Sequence, residues 1–109
     1  MSANKYKRKY QKLRDSARGE DCTLQIHPYC NGNPETVVLC HLPSGAGIGQ
    51  KSPDWFAVYG CSDCHDIIDG RTSNTQIRRW KEANNFDGIT QMALFRTWER
   101  MLDKGLIKI

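Results

Sequence analysis

The amino-acid sequence predicts a small α+β domain in which two short strands are followed by helices. Its 109 residues correspond to one domain by length. Two short runs of β-branched, aromatic and apolar residues have the composition of strands, and the C-terminal third has the apolar periodicity of helices. Four of the five cysteines fall into two pairs, a pattern typical of a metal site that stabilises a small core.

The first element is expected to be a short helix over residues 13–18, because apolar residues recur at helical spacing before Gly19. Residues 36–41 are apolar and β-branched and predict the first strand. Residues 55–59 predict the second strand in the same way. The segment between the strands, residues 43–53, is rich in Gly, Ser and Pro, and therefore predicts a surface loop.

Three helices are expected after the second strand. Residues 61–69 form a short one that Gly70 closes. Residues 73–76 have the Ser-x-x-Gln form of a capping box, which opens a helix through residue 83. The last helix is expected over residues 89–104. We assign its broad apolar face to the core: Met92, Phe95, Trp98, Met101 and Leu102.

Positive charge is concentrated at the N-terminus. Residues 1–18 carry seven basic side chains and one acidic one, a net charge of +6, whereas the whole chain is +4 and residues 19–109 therefore sum to −2. A basic arm that contains tyrosines suits contact with nucleic-acid phosphates, and a merely solvated terminus is the alternative. The candidate nucleic-acid-binding residues in this region are Lys5, Lys7, Arg8, Lys9, Lys12, Arg14 and Arg18.

The sequence predicts a cytoplasmic protein with no membrane segment and no small-molecule cofactor. No apolar run approaches 18 residues, and the N-terminal residues lack the apolar stretch of a signal peptide. An odd number of cysteines, five, also fits metal ligation better than a disulfide framework.

The paired cysteines predict a closed, structural zinc site. Cys61 and Cys64 have C-x2-C spacing, and an upstream pair separated by seven residues supplies the other two thiols. Four thiolates leave no open coordination position, so this zinc cannot activate water. Cys40 or His27 in place of the second upstream thiol is the alternative. The expected ligands are Cys22, Cys30, Cys61 and Cys64.

A second, catalytic metal is predicted on the helix that follows the C-x2-C pair. His65 and Asp69 are four residues apart, so on a helix they lie on one face and could hold one divalent ion. Two protein ligands leave positions for water and a phosphate. The alternatives are that His65 only donates a hydrogen bond to the zinc thiolates, and that Asp66 and Asp69 only cap or solvate the helix.

His41, at the end of the first predicted strand, is the candidate general base. An imidazole accepts and releases protons near neutral pH, which suits activation of a water molecule. A histidine in the core is the alternative interpretation. Arg71 or Arg18 could stabilise charge on the phosphate.

A strand that ends in His-Leu, a glycine-rich loop, a second strand and then Cys-x2-Cys-His on a helix resembles the HNH, or ββα-metal, nucleases. The chain resembles more specifically the YbcO-type family of phage and prophage nucleases, which is similar to the RecA-dependent nuclease Ref. The segments that carry this likeness, within residues 13–109, are 17–22 (ARGEDC), 30–36 (CNGNPET), 61–66 (CSDCHD) and 68–69 (ID).

This resemblance implies a zinc-stabilised domain with a ββα-metal core and flanking helices. It assigns His41 as the base and His65 as a metal ligand, with Asp69 where some members have a second metal-binding histidine. The four paired cysteines match the structural zinc ligands. Cys40, a possible ligand, stands where the family usually has Asp or His, and thiolates prefer softer ions than Mg²⁺. Asp54 is the candidate for the middle Asn of the motif.

The resulting hypothesis is a metal-dependent DNA endonuclease in a bacterial host cell. It consists of a basic arm, residues 1–12, and one nuclease domain, residues 13–109. The expected cofactors are structural Zn²⁺ and catalytic Mg²⁺ or another divalent metal. The expected partners are DNA and a RecA-type recombinase filament, which links the protein to recombination. The alternatives are a non-catalytic zinc-stabilised module that binds DNA or a recombination protein, and a zinc-containing regulator that contacts only protein.

Overall fold

Two antiparallel strands form the centre of the fold, and helices pack against both. The computed structural model describes residues 10–42, 52–70 and 75–108. The strands pair in register from Val38 opposite Gly60 to His41 opposite Ala57, which confirms the expected α+β class. The elements are, in chain order, α1 (Gln11–Ser16), a 3-10 turn (Pro34–Thr36), β1 (Val38–His41), β2 (Ala57–Gly60), α2 (Ser62–Ile68), α3 (Thr75–Ala83) and α4 (Phe86–Asp103).

Some residues singled out in the sequence lie outside the described part of the chain. They are the first residues of the capping box, the loop from residue 43 to residue 51, and the basic residues Lys5, Lys7, Arg8, Lys9 and Arg71.

Local turns shorten both strands relative to the prediction. The Asn33 side chain accepts a hydrogen bond from the Glu35 N–H and so caps the 3-10 turn, and β1 begins only after that turn. Before β2, the Phe56 N–H donates to the Pro53 carbonyl at 2.9 Å, and Trp55 therefore lies in a turn. Asparagine and proline turn chemistry thus overrides β propensity at both strand starts. Helix α1 also begins and ends two residues earlier than expected.

The core is built around β2, whose four residues are all buried. α1 packs on β1, whereas α2 and α4 pack on β2. Gly60, at the end of β2, leaves room for two side chains that pack over it. A Cβ atom at this position would lie 2.7 Å from the Cys40 sulfur and 2.9 Å from Leu24 Cδ1, so the packing requires glycine.

The longest helix, α4, turns a narrower face to the core than expected. The assignment of Met92 and Phe95 to the core is wrong, because they are 48% and 56% exposed. The buried residues of α4 are Ala93, Thr97 and Met101, a stripe of mostly small side chains that lets the helix approach β2 closely. The helix begins at Phe86, three residues before the expected start, because Asn85 caps it. No helix within the described residues is long and apolar enough to cross a membrane.

Thr97 joins α4 to β2 through buried hydrogen bonds. Its hydroxyl oxygen accepts from the Tyr59 N–H at 3.2 Å and lies 2.9 Å from Thr23 Oγ1. The variant Thr97→Val keeps the shape but leaves the Tyr59 N–H without its acceptor. We expect the free energy of unfolding, measured by urea denaturation, to fall by about 1–3 kcal/mol. Thr90→Val, which removes an exposed hydrogen bond of the same helix, is the control, and an equally small effect of both variants would contradict the prediction.

Candidate functional site

Four cysteine side chains converge next to the end of β2. The sulfur atoms of Cys22, Cys30, Cys61 and Cys64 all lie within 4.8 Å of one another, and those of Cys30 and Cys61 are 3.8 Å apart. Sulfurs bound to one tetrahedral zinc at about 2.3 Å are separated by about 3.8 Å, so the spacing fits this ion. All four thiols are free of disulfide bonds. The cluster could hold one metal ion, and its all-sulfur donor set suits structural zinc.

Backbone N–H groups support the sulfur atoms of both cysteine pairs. Cys61 is the N-cap of α2, and its sulfur accepts the N–H of Cys64 at 3.5 Å. In the upstream pair, the Cys22 sulfur accepts the N–H of Gln25 at the same distance. Gln25 reaches this position with a φ of +50°, in the left-handed region that side chains rarely adopt. Such N–H donors stabilise a thiolate and orient it as a ligand.

The crowded thiols differ in how readily they lose a proton. The hydrogen bond from Cys64 lowers the pKa of Cys22 to about 4. Burial raises the pKa of Cys30 to about 11. Because the thiolate is the form that binds metal, Cys22 is ready to bind, whereas zinc must displace the proton of Cys30.

The alternative zinc ligands, His27 and Cys40, lie outside this cluster. His27 is exposed. Cys40 is fully buried on β1, and its thiol points at the carbonyl oxygen of Gly60, 3.7 Å away. Burial, and after it the negative charge of Asp69, raises the pKa of Cys40, so this side chain is a neutral thiol. The structure therefore brings together the set of four cysteines that the sequence favours.

Helix α2 also carries the predicted second pair of ligands. His65 lies within the helix and Asp69 is its C-cap; His65 Nε2 and Asp69 Oδ2 are 3.0 Å apart. The two side chains are partly exposed and offer an imidazole nitrogen and a carboxylate oxygen. Mg²⁺ commonly binds few protein ligands, and water and substrate phosphate occupy its remaining coordination positions. Among the described residues, the cysteine cluster is the only group of three or more possible ligands, so this second site offers two.

His41, the candidate base, is held by a buried carboxylate. Its Nε2 lies 2.8 Å from Asp54 Oδ1. The Arg14 side chain binds both oxygens of the same carboxylate, with Nε 2.9 Å from Oδ2 and Nη2 3.2 Å from Oδ1. The backbone N–H of Tyr10 donates to Oδ2 at 2.6 Å. Asp54 is 1% exposed and the His41 side chain 26%, so a fixed carboxylate orients an imidazole that solvent can reach.

Asp54 stays ionised at neutral pH despite its burial. Burial alone would raise its pKa, but hydrogen bonds from Arg14, His41 and the Tyr10 N–H together lower the pKa below its ordinary value. An aspartate whose pKa is lowered by folding stabilises the folded state at pH values above its pKa in the unfolded chain, about 3.9. This stabilisation is lost as the pH falls through the pKa of the folded state. The carboxylate is therefore a permanent hydrogen-bond acceptor for His41 in the neutral range.

His41 also lines a groove of about 300 Å³ between α1 and β1. Two of the predicted nucleic-acid-binding residues line the same groove: Arg14, whose guanidinium binds Asp54, and Arg18, which is exposed. Lys12 is exposed on α1 but does not line the groove. The structure thus brings part of the predicted basic surface to the candidate base.

The contact between Arg14 and Asp54 was not predicted from the sequence. The sequence offers Asp54 only as a counterpart of the middle Asn of the resembled motif, and it favours nucleic-acid binding for Arg14. The two residues are 40 positions apart, in a helix and in a turn, and no periodic spacing or motif links them. Only the tertiary packing of α1 on β1 brings them together.

Known proteins share both the sequence and the fold. A family model described as "Putative nuclease YbcO" matches residues 11–105. Proteins with that name from Escherichia coli K12 and Enterobacteria phage 82 are each 53% identical over 98 residues, which cover 88% of this chain and 96% of theirs. A solved structure titled as a "putative bacteriophage protein" from E. coli K-12 matches at 37% identity and a TM-score of 0.63, covering 86% of this chain and 100% of that one. The chain therefore belongs to the YbcO family, a family described as nucleases, with relatives in a bacterium and in a phage.

Proposed function

We propose that this protein is a metal-dependent DNA endonuclease with a ββα-metal (HNH-like) core formed by β1, β2 and α2. The observation that carries the proposal is the anchored His41 at the end of β1, in a chain whose family is named for nuclease activity. The position of His65 on α2, directly after the second strand, supports the same core. The nuclease domain comprises residues 13–109, and residues 1–12 form its basic arm.

In this proposal His41 takes a proton from the attacking water. The water oxygen bonds to phosphorus while the bond to the leaving sugar oxygen breaks, and the leaving oxygen gains a proton from solvent. His65 and Asp69 would hold the divalent ion, which when bound supplies positive charge for the phosphate oxygens. The cysteine cluster takes no part in the chemistry and instead fixes α2 to the upstream segment.

DNA is proposed to lie along the groove between α1 and β1. Arg18 supplies exposed positive charge in the groove, and Lys12 supplies it beside the groove. Arg71 is proposed as a further phosphate contact. Tyr10 lies near the end of the basic arm, and its N–H donates to Asp54 beside the base. Such phosphate contacts give affinity that is independent of sequence and falls steeply with salt.

The test is nicking of supercoiled plasmid by the zinc-loaded protein. We expect nicks with Mg²⁺ or Mn²⁺ and none when the divalent metal is omitted, at an unchanged zinc content. The double variant His65→Ala, Asp69→Ala should lose nicking but keep its zinc and its DNA affinity. Because the resemblance to Ref points to a RecA-type filament, the assay is run with and without one. Absence of nicking under all of these conditions would overturn the proposal.

Cys40 favours a second candidate, a non-catalytic zinc-stabilised module that binds DNA or a recombination protein. It stands at the position where the resembled nucleases usually place a metal ligand, yet it is a fully buried, neutral thiol. Salt-sensitive DNA binding without nicking would favour this module. Absence of DNA affinity would instead favour a regulator that contacts only protein.

A further inference from the structure

We propose that the DNA substrate is unpaired at the cut, and that Trp55 and Tyr10 stack on its bases. This inference rests on the proposed function, because it names the substrate class for the site around His41. Neither aromatic side chain takes part in the proposed chemistry, and both expose apolar surface to solvent.

The large apolar side chains that solvent reaches fall into two groups. Within the described residues they are Tyr10, Val38 and Trp55, which lie next to the candidate base or to the carboxylate that holds it, and Met92 and Phe95, which lie on α4. Val38 lines the groove of His41. Met92 lines a separate cavity that shares no lining residue with that groove. Apolar surface left exposed beside a reacting group is typical of a surface that binds part of the substrate.

Trp55 is 46% exposed, and its backbone is held in place. It follows Asp54 directly, so the Cα atoms of the two residues are about 3.8 Å apart. The turn that contains Trp55 is closed by the bond from the Phe56 N–H to the Pro53 carbonyl. The indole N–H of Trp98 donates to the Trp55 carbonyl at 2.8 Å. Because this backbone is fixed before DNA arrives, presenting the ring to a base costs little entropy.

Tyr10 approaches the same carboxylate from the start of α1. Its N–H donates to Asp54 Oδ2 at 2.6 Å, whereas the other oxygen, Oδ1, lies 2.8 Å from His41 Nε2. Tyr10 is 37% exposed. One buried carboxylate therefore connects the backbone of both exposed aromatic residues to the candidate base.

Positive charge accompanies the two rings. Residues 10–18 carry three cations, Lys12, Arg14 and Arg18, against one acid, Asp15. Arg14 binds Asp54, so the exposed side chains of Lys12 and Arg18 are the cations that can contact phosphates. Exposed aromatic rings beside a positively charged groove are the features that bind single-stranded nucleic acid. A duplex could use the cations, but its base faces are buried in its own stack, where these rings cannot reach them.

The test compares three fluorescently labelled DNAs of one sequence: a single strand, a matched duplex, and a duplex with a central unpaired bubble. Fluorescence anisotropy measures their binding to zinc-loaded, full-length protein without added Mg²⁺ or Mn²⁺, so that no DNA is cut. The parent should bind the single strand and the bubble at least about fivefold more tightly than the matched duplex. Equal affinity for all three DNAs would overturn the inference.

Variants of the two rings test stacking directly. Trp55→Ala and Tyr10→Ala should each weaken single-strand binding about 5- to 150-fold, the loss of one stacked base, with little change in duplex binding. Trp55→Phe should keep most of the affinity because a phenyl ring still stacks. Tyr10→Ala retains the backbone N–H that binds Asp54, so its effect reports the ring alone. Met92→Ala, at a residue that is 48% exposed, is the matched control and should bind every DNA as the parent does.

A thermal transition close to that of the parent should accompany each of these variants, because the replaced side chains are exposed. Weaker binding by a variant that remains folded therefore reports a lost DNA contact. Single-strand binding at the parental affinity in both Trp55→Ala and Tyr10→Ala would overturn the inference.

Cleavage of the same three DNAs with Mg²⁺ or Mn²⁺ separates this inference from the proposed function. The parent should cut the single strand and the bubble faster than the matched duplex, and Trp55→Ala should lose most of that preference. If no DNA is cut while the Trp55-dependent preference for single strands remains, the proposed function fails and the inference stands. If the parent and Trp55→Ala both cut the matched duplex as fast as the single strand, the proposed function stands and the inference fails.

Discussion

Replacement of Cys61 and Cys64 by serine is expected to abolish zinc binding and folding together. The two residues supply half of the sulfur cluster, and Cys61 also caps α2. Structural zinc contributes roughly 10–16 kcal/mol of apparent binding energy at pH 7 in zinc-finger peptides. Since a small domain is stable by only about 5–15 kcal/mol, loss of this contribution exceeds what the remaining core can supply. Metal analysis should give one zinc per chain for the parent and none for the variant, whose circular dichroism should be that of an unfolded chain.

The fifth cysteine provides the matched control for this prediction. Cys40 is as buried as Cys61 but lies outside the cluster. The variant Cys40→Ala should therefore keep one zinc per chain and a cooperative thermal transition, at a lower Tm because a buried sulfur is lost. A folded, zinc-free form of the double serine variant would show that the metal is not structural.

The parts of the fold that the sequence predicts are those governed by local signals. The C-x2-C spacing identified Cys61 and Cys64, and the i, i+4 spacing placed His65 beside Asp69, as the 3.0 Å contact confirms. Turn residues marked the breaks between the helices and strands. These features depend on a few neighbouring residues, so one sequence is enough to find them.

The features that the sequence does not predict depend on distant packing. Met92 and Phe95 fit a helical apolar stripe, but only the sheet decides which part of that stripe is covered, and α4 turns its small residues to β2. Likewise, Asp54 and Arg14 have no local relationship, and their contact exists because α1 packs beside the strand that carries His41. The sequence therefore predicts the cysteine cluster, the ligand pair on α2 and His41 separately. It does not predict the contacts of Asp54 that hold His41 in place.

His41→Ala is expected to reduce the rate of metal-dependent plasmid nicking about 100- to 10,000-fold, the contribution typical of a general base. DNA affinity should stay within a few-fold of the parent, because the basic side chains of α1 and the arm are unchanged. The domain should remain folded, since Asp54 keeps the hydrogen bonds from Arg14 and the Tyr10 N–H. Nicking rates at saturating DNA, together with binding isotherms, measure the two effects separately.

The chain has three histidines, and their different environments make the assignment of the base testable. His27 is exposed and outside both candidate metal sites, so His27→Ala should nick at the parental rate. His65→Ala weakens a ligand pair, and a higher concentration of Mn²⁺ should restore part of its activity because Asp69 remains. No metal concentration should restore His41→Ala, since what it lacks is a proton acceptor. Equal nicking by His41→Ala and the parent, or rescue of His41→Ala by metal, would remove His41 from the chemistry and move it to the ligand set.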